Sequence, residues 1–140
     1  MNPENSPLES QLQQMLSVWL AANEALDAKT IGSFFADDVV YEDVGLKHTL
    51  HGQAEVARWY TDWFAAYPDF TMKLFNSLVS GNSAVMEWEF TATLEGGFHD
   101  IPESMRGKTR TVRGAIVVEF DESGKIKKER DYWNATHLSS

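Results

Sequence analysis

The chain has 140 residues, of which 43% are hydrophobic and 24% are charged, an ordinary globular balance for one domain. Its formal net charge of −9 argues against nucleic acids and anionic membranes as partners, because both require a basic surface, and favours a small hydrophobic molecule as the expected partner. The absence of cysteine excludes disulfides and thiolate chemistry.

The N-terminal part predicts a flexible tail at residues 1–6 followed by an amphipathic helix. Ser6 is placed to cap the helix, Pro7 suits its first position, and Glu9 completes a capping box. The apolar residues that follow are spaced by three and four and carry the helix to about residue 25: Leu8, Leu12, Met15, Leu16, Trp19 and Leu20.

A second, shorter helix is expected after Asp27, which can cap it. Its predicted buried side consists of Ile31, Phe34 and Phe35. Residues 39–43 predict a short strand, and residues 44–50 have no periodicity and predict a loop.

The third predicted helix follows Gly52 and ends at Pro68. Its apolar positions fall on one face: Val56, Trp59, Tyr60, Trp63, Phe64 and Tyr67. Such a stripe usually fills a core. Its content of Trp and Tyr is unusually high, however, and these side chains can also line a ligand pocket.

From Phe70 onward the hydrophobic period changes to two, which predicts strands. We expect four of them, at about residues 70–79, 84–94, 108–120 and 124–134, and a C-terminal tail at 135–140. Helices followed by a run of strands indicate an α+β fold. The predicted architecture is a curved antiparallel sheet wrapped on three N-terminal helices, forming a cone-shaped barrel with an internal pocket.

No motif for phosphate binding, zinc binding or a nucleophilic serine is present, and the four histidines lack the spacing of metal ligands. Acid–base chemistry by a carboxylate remains, because a carboxyl group desolvated by aromatic walls has a raised pKa. Asp131 is the best candidate, since it lies beside Tyr132 and Trp133 in the closing strand. The alternative is a structural ion pair of Asp131 with Arg113 or another basic residue.

Two further residues are predicted to act beside Asp131. Arg113 is expected to orient Asp131 or to hold an anionic group, and His51 is expected to donate a hydrogen bond to a substrate oxygen, unless it is an exposed loop residue. Tyr41 and Asp43 are expected beside His51 at the pocket mouth. The predicted substrate-binding wall consists of Trp19, Tyr41, Trp59, Tyr60, Trp63, Phe64, Met86, Trp88, Phe90, Ile116 and Trp133.

Five motifs distributed over most of the chain form a recognisable pattern. They are FFADDVVY at 34–41, HGQAEV at 51–56, YPDF at 67–70, WEFTAT at 88–93 and RDYWN at 130–134. This pattern resembles the SnoaL-like polyketide cyclase family. The resemblance implies the cone-shaped fold shared with ketosteroid isomerase, scytalone dehydratase and limonene epoxide hydrolase.

The resemblance also implies a reaction. Cyclases of this family close a polyketide ring by aldol condensation, with an aspartate of the last strand as general base and without metal or cofactor. Asp131 falls at the position of that aspartate. The cyclases carry a histidine on the preceding long strand, where this chain has Arg113, Ala115 and Val117.

The expected function is therefore that of a cofactor-independent cyclase or isomerase, with a carboxylate general acid/base acting on a hydrophobic, polyketide-like carbonyl compound. Two alternatives remain. One is a hydrolase like limonene epoxide hydrolase, with Arg130, Asp131 and Asp43 as its site, and the other is a hydrophobic-ligand-binding protein without catalysis.

A homodimer is expected by family analogy, paired through the outer sheet face that carries Thr91, Thr93, Val117 and Glu119. The sequence has neither the features of a signal peptide nor a run of about 18 apolar residues, which predicts a cytoplasmic protein.

Overall fold

A six-stranded sheet carries the architecture, and three α-helices accompany it. A computed structural model describes residues 7–99 and 101–138, without the side chains of residues 7–9 and 12. The helices are α1 (Pro7–Glu24), α2 (Ala28–Gly32) and α3 (Gln53–Ala66). The strands are β1 (Phe35–Asp43), β2 (His48–His51), β3 (Thr71–Ser80), β4 (Ser83–Thr93), β5 (Thr109–Phe120) and β6 (Ile126–Trp133).

The predicted start of α1 lies partly outside the described residues. This applies to the tail at 1–6, to the Ser6 cap and to the side chains of Glu9, Leu8 and Leu12. The predicted cap of α2 is confirmed, because Oδ1 of Asp27 accepts a hydrogen bond from the Thr30 amide at 3.1 Å.

The strand order is β2-β1-β6-β5-β4-β3, and the sheet is open and curved. β3, β4, β5 and β6 pair antiparallel with their sequence neighbours, as expected for strands joined by short connections. β1 and β6 pair in parallel, so the sheet is mixed, and this one pair differs from the predicted antiparallel arrangement. The reason is topological: the two strands are not joined by a turn, and the rest of the fold lies between them in sequence.

Two element boundaries differ from prediction near the beginning of the sheet. α2 ends at Gly32 and β1 begins at Phe35, because the Phe34 carbonyl accepts a hydrogen bond from the Ile126 amide and thereby joins this segment to β6. The predicted loop at 44–50 contains the edge strand β2, which pairs with β1 with Leu50 opposite Tyr41. The first residues of β1 and the four residues of β2 are too few to show a clear period of two.

The core lies between the inner face of the sheet and the helices. All six predicted apolar positions of α3 are buried, and along β4 every second residue from Ala84 to Ala92 is buried. The C-terminal segment is also part of the fold. Ala135–Leu138 forms a short 3₁₀ helix with Leu138 buried, so this portion is not the tail expected from sequence.

Candidate active site

A pocket with a cavity volume of about 60 Å³ lies between the inner face of the sheet and helices α1 and α3. Nine of the predicted wall residues line it: Trp19, Tyr41, Trp59, Tyr60, Trp63, Trp88, Phe90, Ile116 and Trp133. Asp131 lines it too. The structure thus brings most of the predicted wall together, and the role of these residues as ligand contacts stays a prediction.

Two predicted wall residues are corrected. Phe64 and Met86 are buried but do not line the pocket. Phe64 instead packs against the rings of Tyr60 and Phe70, with centroids 5.9 and 5.7 Å away. Asn23, Phe70 and Met72 line the pocket without having been predicted. Phe70 and Met72 are alternate apolar positions of the period-two pattern that begins at Phe70. This alternation was the sequence signal that could have assigned them to the wall.

β6 positions Asp131 by alternation, because Glu129 and Asp131 are both on the inner face. Asp131 is 7% exposed and lies between Ile116 of β5 and Asp43 of β1 in the strand register. The hydroxyl of Tyr41 donates a hydrogen bond to Oδ2 of Asp131 at 2.5 Å. Oδ1 has no hydrogen-bond partner among the described residues.

Glu129 is a second buried acid, 3% exposed, and its Oε2 likewise has no N–H or O–H partner among the described residues, so that one proton between the two acids would allow them to bond each other. Two carboxyl groups can bond each other only through a shared proton. Burial raises the pKa of Glu129 well above its usual range, and the charge of Asp131 raises it further. Burial also raises the pKa of Asp131, although the bonds from Glu129 and Tyr41 act in the opposite direction. Burial thus disfavours ionisation of both groups, and the two carboxyl groups form a coupled acid pair.

Asp43 is the third acid of this cluster and lines the pocket directly. Its Oδ1 accepts hydrogen bonds at 2.8 Å from the Leu46 amide and from Nε1 of Trp133. Burial and the charge of Asp131 raise the pKa of Asp43 to about 7, against the lowering effect of these bonds. Both protonation states of Asp43 are thus accessible near neutral pH.

Trp88 contributes a buried donor to the pocket wall. Its indole Nε1–H has no acceptor among the described residues, which is unusual for a buried polar group. The ring lies over β5 where Gly114 provides the room, because a Cβ at that position would be 2.6 Å from Cζ2 of Trp88.

The basic residues that were expected near Asp131 do not line the pocket. Arg113 is on the outer face of the sheet, where its Nε donates to Oε2 of Glu89 at 2.9 Å and its guanidinium lies 4.4 Å from the centre of the Phe75 ring. Strand alternation explains this, since the inner residue of β5 opposite Asp131 is Ile116. Arg130 of the hydrolase alternative also lies away from the pocket, with its Nε donating to the hydroxyl of Tyr132.

His51 is likewise corrected. It is exposed at the edge strand β2 and does not line the pocket. Its backbone amide donates to Oε2 of Glu55 at the start of α3. His48 and His99 lie nearer, because both rings contact Trp59, with centroids 5.3 and 4.5 Å from it.

In the described part of the chain, no group of three or more His, Cys, Asp or Glu side chains is arranged to hold a metal ion. The described helices also include none with the length and apolar character needed to cross a bilayer.

Comparison with known families identifies the domain. Residues 16–129 match the family model of the SnoaL-like domain, which is well over half of the chain. The chain belongs to the SnoaL-like family. The matched segment of this SnoaL-like protein ends at Glu129, so that Asp131 lies just beyond it. No curated protein matches the sequence.

Solved structures share the SnoaL-like fold over most of their length. A Jannaschia sp. CCS1 protein assigned to the SnoaL-like polyketide cyclases has a TM-score of 0.81 at 16% identity, covering 99% of both chains. A Catenulispora acidiphila protein with a ketosteroid isomerase-like fold, solved with trimethylamine, has a TM-score of 0.75 at 17% identity, covering 89% of this chain and 88% of that chain. An LEH-like epoxide hydrolase from M. tuberculosis has a TM-score of 0.69 at 19% identity, covering 92% and 86%. These identities identify the fold alone, and the predicted α+β cone is confirmed.

Proposed function

We propose that this SnoaL-like protein is an enzyme that transfers protons on a small, largely apolar carbonyl compound, using only side chains of its pocket. The observation that carries the proposal is the pairing of two buried carboxyl groups, Asp131 and Asp43, in a pocket walled by aromatic rings. Buried acids with raised pKa values concentrate at catalytic sites, because a base works best when its pKa is near the working pH.

Asp131 is the proposed general base. In its ionised form it removes a proton from the carbon next to the substrate carbonyl, and the carbonyl oxygen takes up the negative charge. Tyr41 holds Oδ2 of Asp131 in place, and Glu129 is the acid with which Asp131 shares a proton. In an isomerisation, protonated Asp131 returns the proton to another carbon. In a cyclisation, the carbanion attacks a second carbonyl, and protonated Asp131 returns its proton to the resulting alkoxide and is ionised again.

Trp88 is the proposed donor to the developing enolate oxygen. Its N–H is buried, unpartnered among the described residues, and belongs to a residue of the pocket wall. A fixed donor in a desolvated site stabilises negative charge that develops in the transition state.

The proposal is tested by the exchange of α-protons of small ketones in D₂O, followed by NMR. Asp131→Asn removes the base and retains an oxygen that can accept from Tyr41. We expect exchange to slow by about 10²–10⁴-fold with the fold retained. Asp38→Asn, at an exposed position of β1, is the control for loss of one acidic charge and should exchange normally.

Normal exchange by the Asp131→Asn variant would rule out Asp131 as the base. Tight binding of ketones without any exchange in the unmodified protein would favour the alternative of a binding protein.

A hydrolase is the second candidate, because Asp43 and Asp131 together could activate a water molecule and protonate a leaving oxygen. Arg130, expected to assist, is outside the pocket. Hydrolysis incorporates solvent oxygen, whereas isomerisation and aldol ring closure do not require it. Appearance of ¹⁸O from labelled water in the product of an epoxide substrate would support the hydrolase.

We also propose that two copies pair through the outer face of the sheet. Leu78, Val85 and Val117 are adjacent on this face in the strand register, and Leu78 is 64% exposed. An apolar cluster on an otherwise polar strand face is typical of an interface.

A further inference from the structure

The lining of the pocket includes acidic groups and no basic side chain among the described residues. His48 is opposite Asp43 in the strand register and its ring packs on Trp59, but it does not line the pocket. Asp43 and Asp131 line it, and Glu129 shares a proton with Asp131 from the same strand. The arginines of the neighbouring strands lie on the outer face, where Arg113 pairs with Glu89 and Arg130 is 4.0 Å from Glu119. The fold thus supplies buried negative charge and leaves its countercharge to the ligand.

The walls of the same pocket are aromatic to an unusual degree. All five tryptophans of the chain line it, together with two tyrosines and two phenylalanines. The face of an aromatic ring carries negative electrostatic potential, most strongly in Trp, and attracts organic cations. A neutral apolar ligand would be accommodated equally well by Leu, Ile and Val, which fill most cores. Trp and Tyr walls next to carboxylates are the combination that recognises an alkylated ammonium group.

A third observation concerns hydrogen bonding. Asp131 is 7% exposed, yet its Oδ1 receives no bond from any fixed N–H or O–H group of the described residues. An ionised carboxylate has about four acceptor positions, and Tyr41 and the proton of Glu129 account for two of them. Oε2 of Glu129 is unpartnered in the same way, so the pair shares a proton, and the acceptor positions that remain on Asp131 are open to a ligand group.

We propose that the ligand of this pocket carries a positively charged, alkylated amine, held between the tryptophan faces and the carboxylates of Asp43 and Asp131. The inference rests on the proposed function in that the same pocket binds the substrate, and it narrows the substrate class to amino-carbonyl compounds. Asp43 is the anchor of the ammonium group, which leaves Asp131 as the base. The cavity volume of about 60 Å³ suits a small head group, since one water-sized sphere takes up about 10–15 Å³ of such space.

The protonation of Asp43 provides a distinctive consequence. Its pKa is raised to about 7 by burial and by Asp131, and a bound cation favours the ionised form. Binding of a permanent cation should therefore release protons near neutral pH. Its affinity should increase as the pH rises from about 6 to 8, whereas the affinity for a neutral ligand should not.

The experiment compares tetramethylammonium with tert-butanol by isothermal titration calorimetry at pH 8, since the two have the same number of non-hydrogen atoms and differ in charge. We expect tetramethylammonium to bind the unmodified protein about 10-fold more tightly or better. Titration in two buffers with different ionisation enthalpies should show proton release at pH 7. Asp43→Asn should weaken tetramethylammonium binding about 10-fold and leave tert-butanol unchanged, and Asp38→Asn should change neither.

The outcomes separate this inference from the proposed function. Equal binding of the two compounds, or stronger binding of tert-butanol, overturns the ammonium site even if ketone exchange proceeds. Failure of both compounds to bind also overturns it, and then ketone exchange decides the proposed function independently. Because the comparison of the two compounds uses the unmodified protein, it stands even if Asp43→Asn does not fold.

Discussion

The buried carboxyl group of Asp43 makes the free energy of unfolding depend on pH. Its pKa is about 7 in the folded protein and near 3.8 when exposed, so the folded state binds the proton more tightly. The stabilising contribution of the protonated form is complete below about pH 4 and is lost as the pH rises through about 7. One pKa unit corresponds to about 1.4 kcal/mol, so the loss amounts to a few kcal/mol.

Asp43→Asn should therefore stabilise the protein at high pH. The amide oxygen can still accept from the Leu46 amide and from Trp133, and it carries no charge. We expect a gain in the free energy of unfolding of roughly 1–4 kcal/mol at pH 8 and a much smaller change at pH 4. Urea denaturation at both pH values measures it, and an equal change at both would contradict the assignment.

The acids of the site differ in how far they could be predicted. Asp131 was identified by its aromatic neighbours and by the family motif. Glu129 was not, since residues 127–131 of β6 are all charged and show no apolar alternation, and glutamate is rarely buried. Asp43 was expected only at the pocket mouth, because its contact with Trp133 joins residues 90 positions apart in the chain.

At the scale of elements, the pairing of β4 with β5 places Gly114 opposite Trp88, and the absence of a side chain at Gly114 leaves room for this tryptophan of the pocket wall. A Cβ there would be 2.6 Å from both Cζ2 of Trp88 and the backbone oxygen of Tyr132, and the backbone contact cannot be relieved by a side-chain rotation. Trp88 therefore depends on this glycine for its position.

Gly114→Ala should destabilise the protein by about 1–3 kcal/mol and displace Trp88, which weakens ligand binding. Denaturant unfolding and near-ultraviolet circular dichroism of the tryptophans measure the two effects. Gly97→Ala is the control, because an added Cβ has nothing within 4 Å and the residue does not have a positive φ. Equal stability of the two variants would show that β4 and β5 have room to adjust.

Elements with a long regular pattern were predictable from sequence, and short or non-local ones were not. The burial of α3 and the alternation of β4 follow directly from residue spacing. β2 has four residues and alternating partial burial at the sheet edge, so its pattern is too short to distinguish from a loop. The parallel pairing of β1 with β6 depends on contacts that no local pattern records.

At the scale of the whole molecule, the outer face of the sheet should determine the oligomeric state. Leu78→Asp would place a charge within the apolar cluster with Val85 and Val117. We expect the unmodified protein to sediment as a dimer at micromolar concentration and this variant to sediment as a monomer with an unchanged circular dichroism spectrum. Val18→Asp, at a 51% exposed position of α1, is the matched control and should remain dimeric. A monomeric unmodified protein would disprove the proposed pairing.

The overall fold could be predicted because motifs along most of the chain agreed with one family. The reaction could not be predicted in the same way, because one fold supports many reactions and only the residues of the site distinguish among them. Arg113 shows the difficulty: the sequence places it on the strand facing Asp131, and only the pairing of Arg113 with Glu89 shows which face it occupies.

The central position of β6 in the sheet has a consequence for synthesis of the chain. Among the strands of this sheet β6 is the last in chain order, and it fits between β1 and β5. Until it arrives, the sheet consists of two separate parts whose facing edges have unpaired backbone groups, which are prone to aggregation. A chain released before residue 126 would thus lack both Asp131 and the strand that joins the two parts. Truncated products would therefore lack the proposed base and be exposed to proteolysis, so the candidate site is completed in the same step as the sheet.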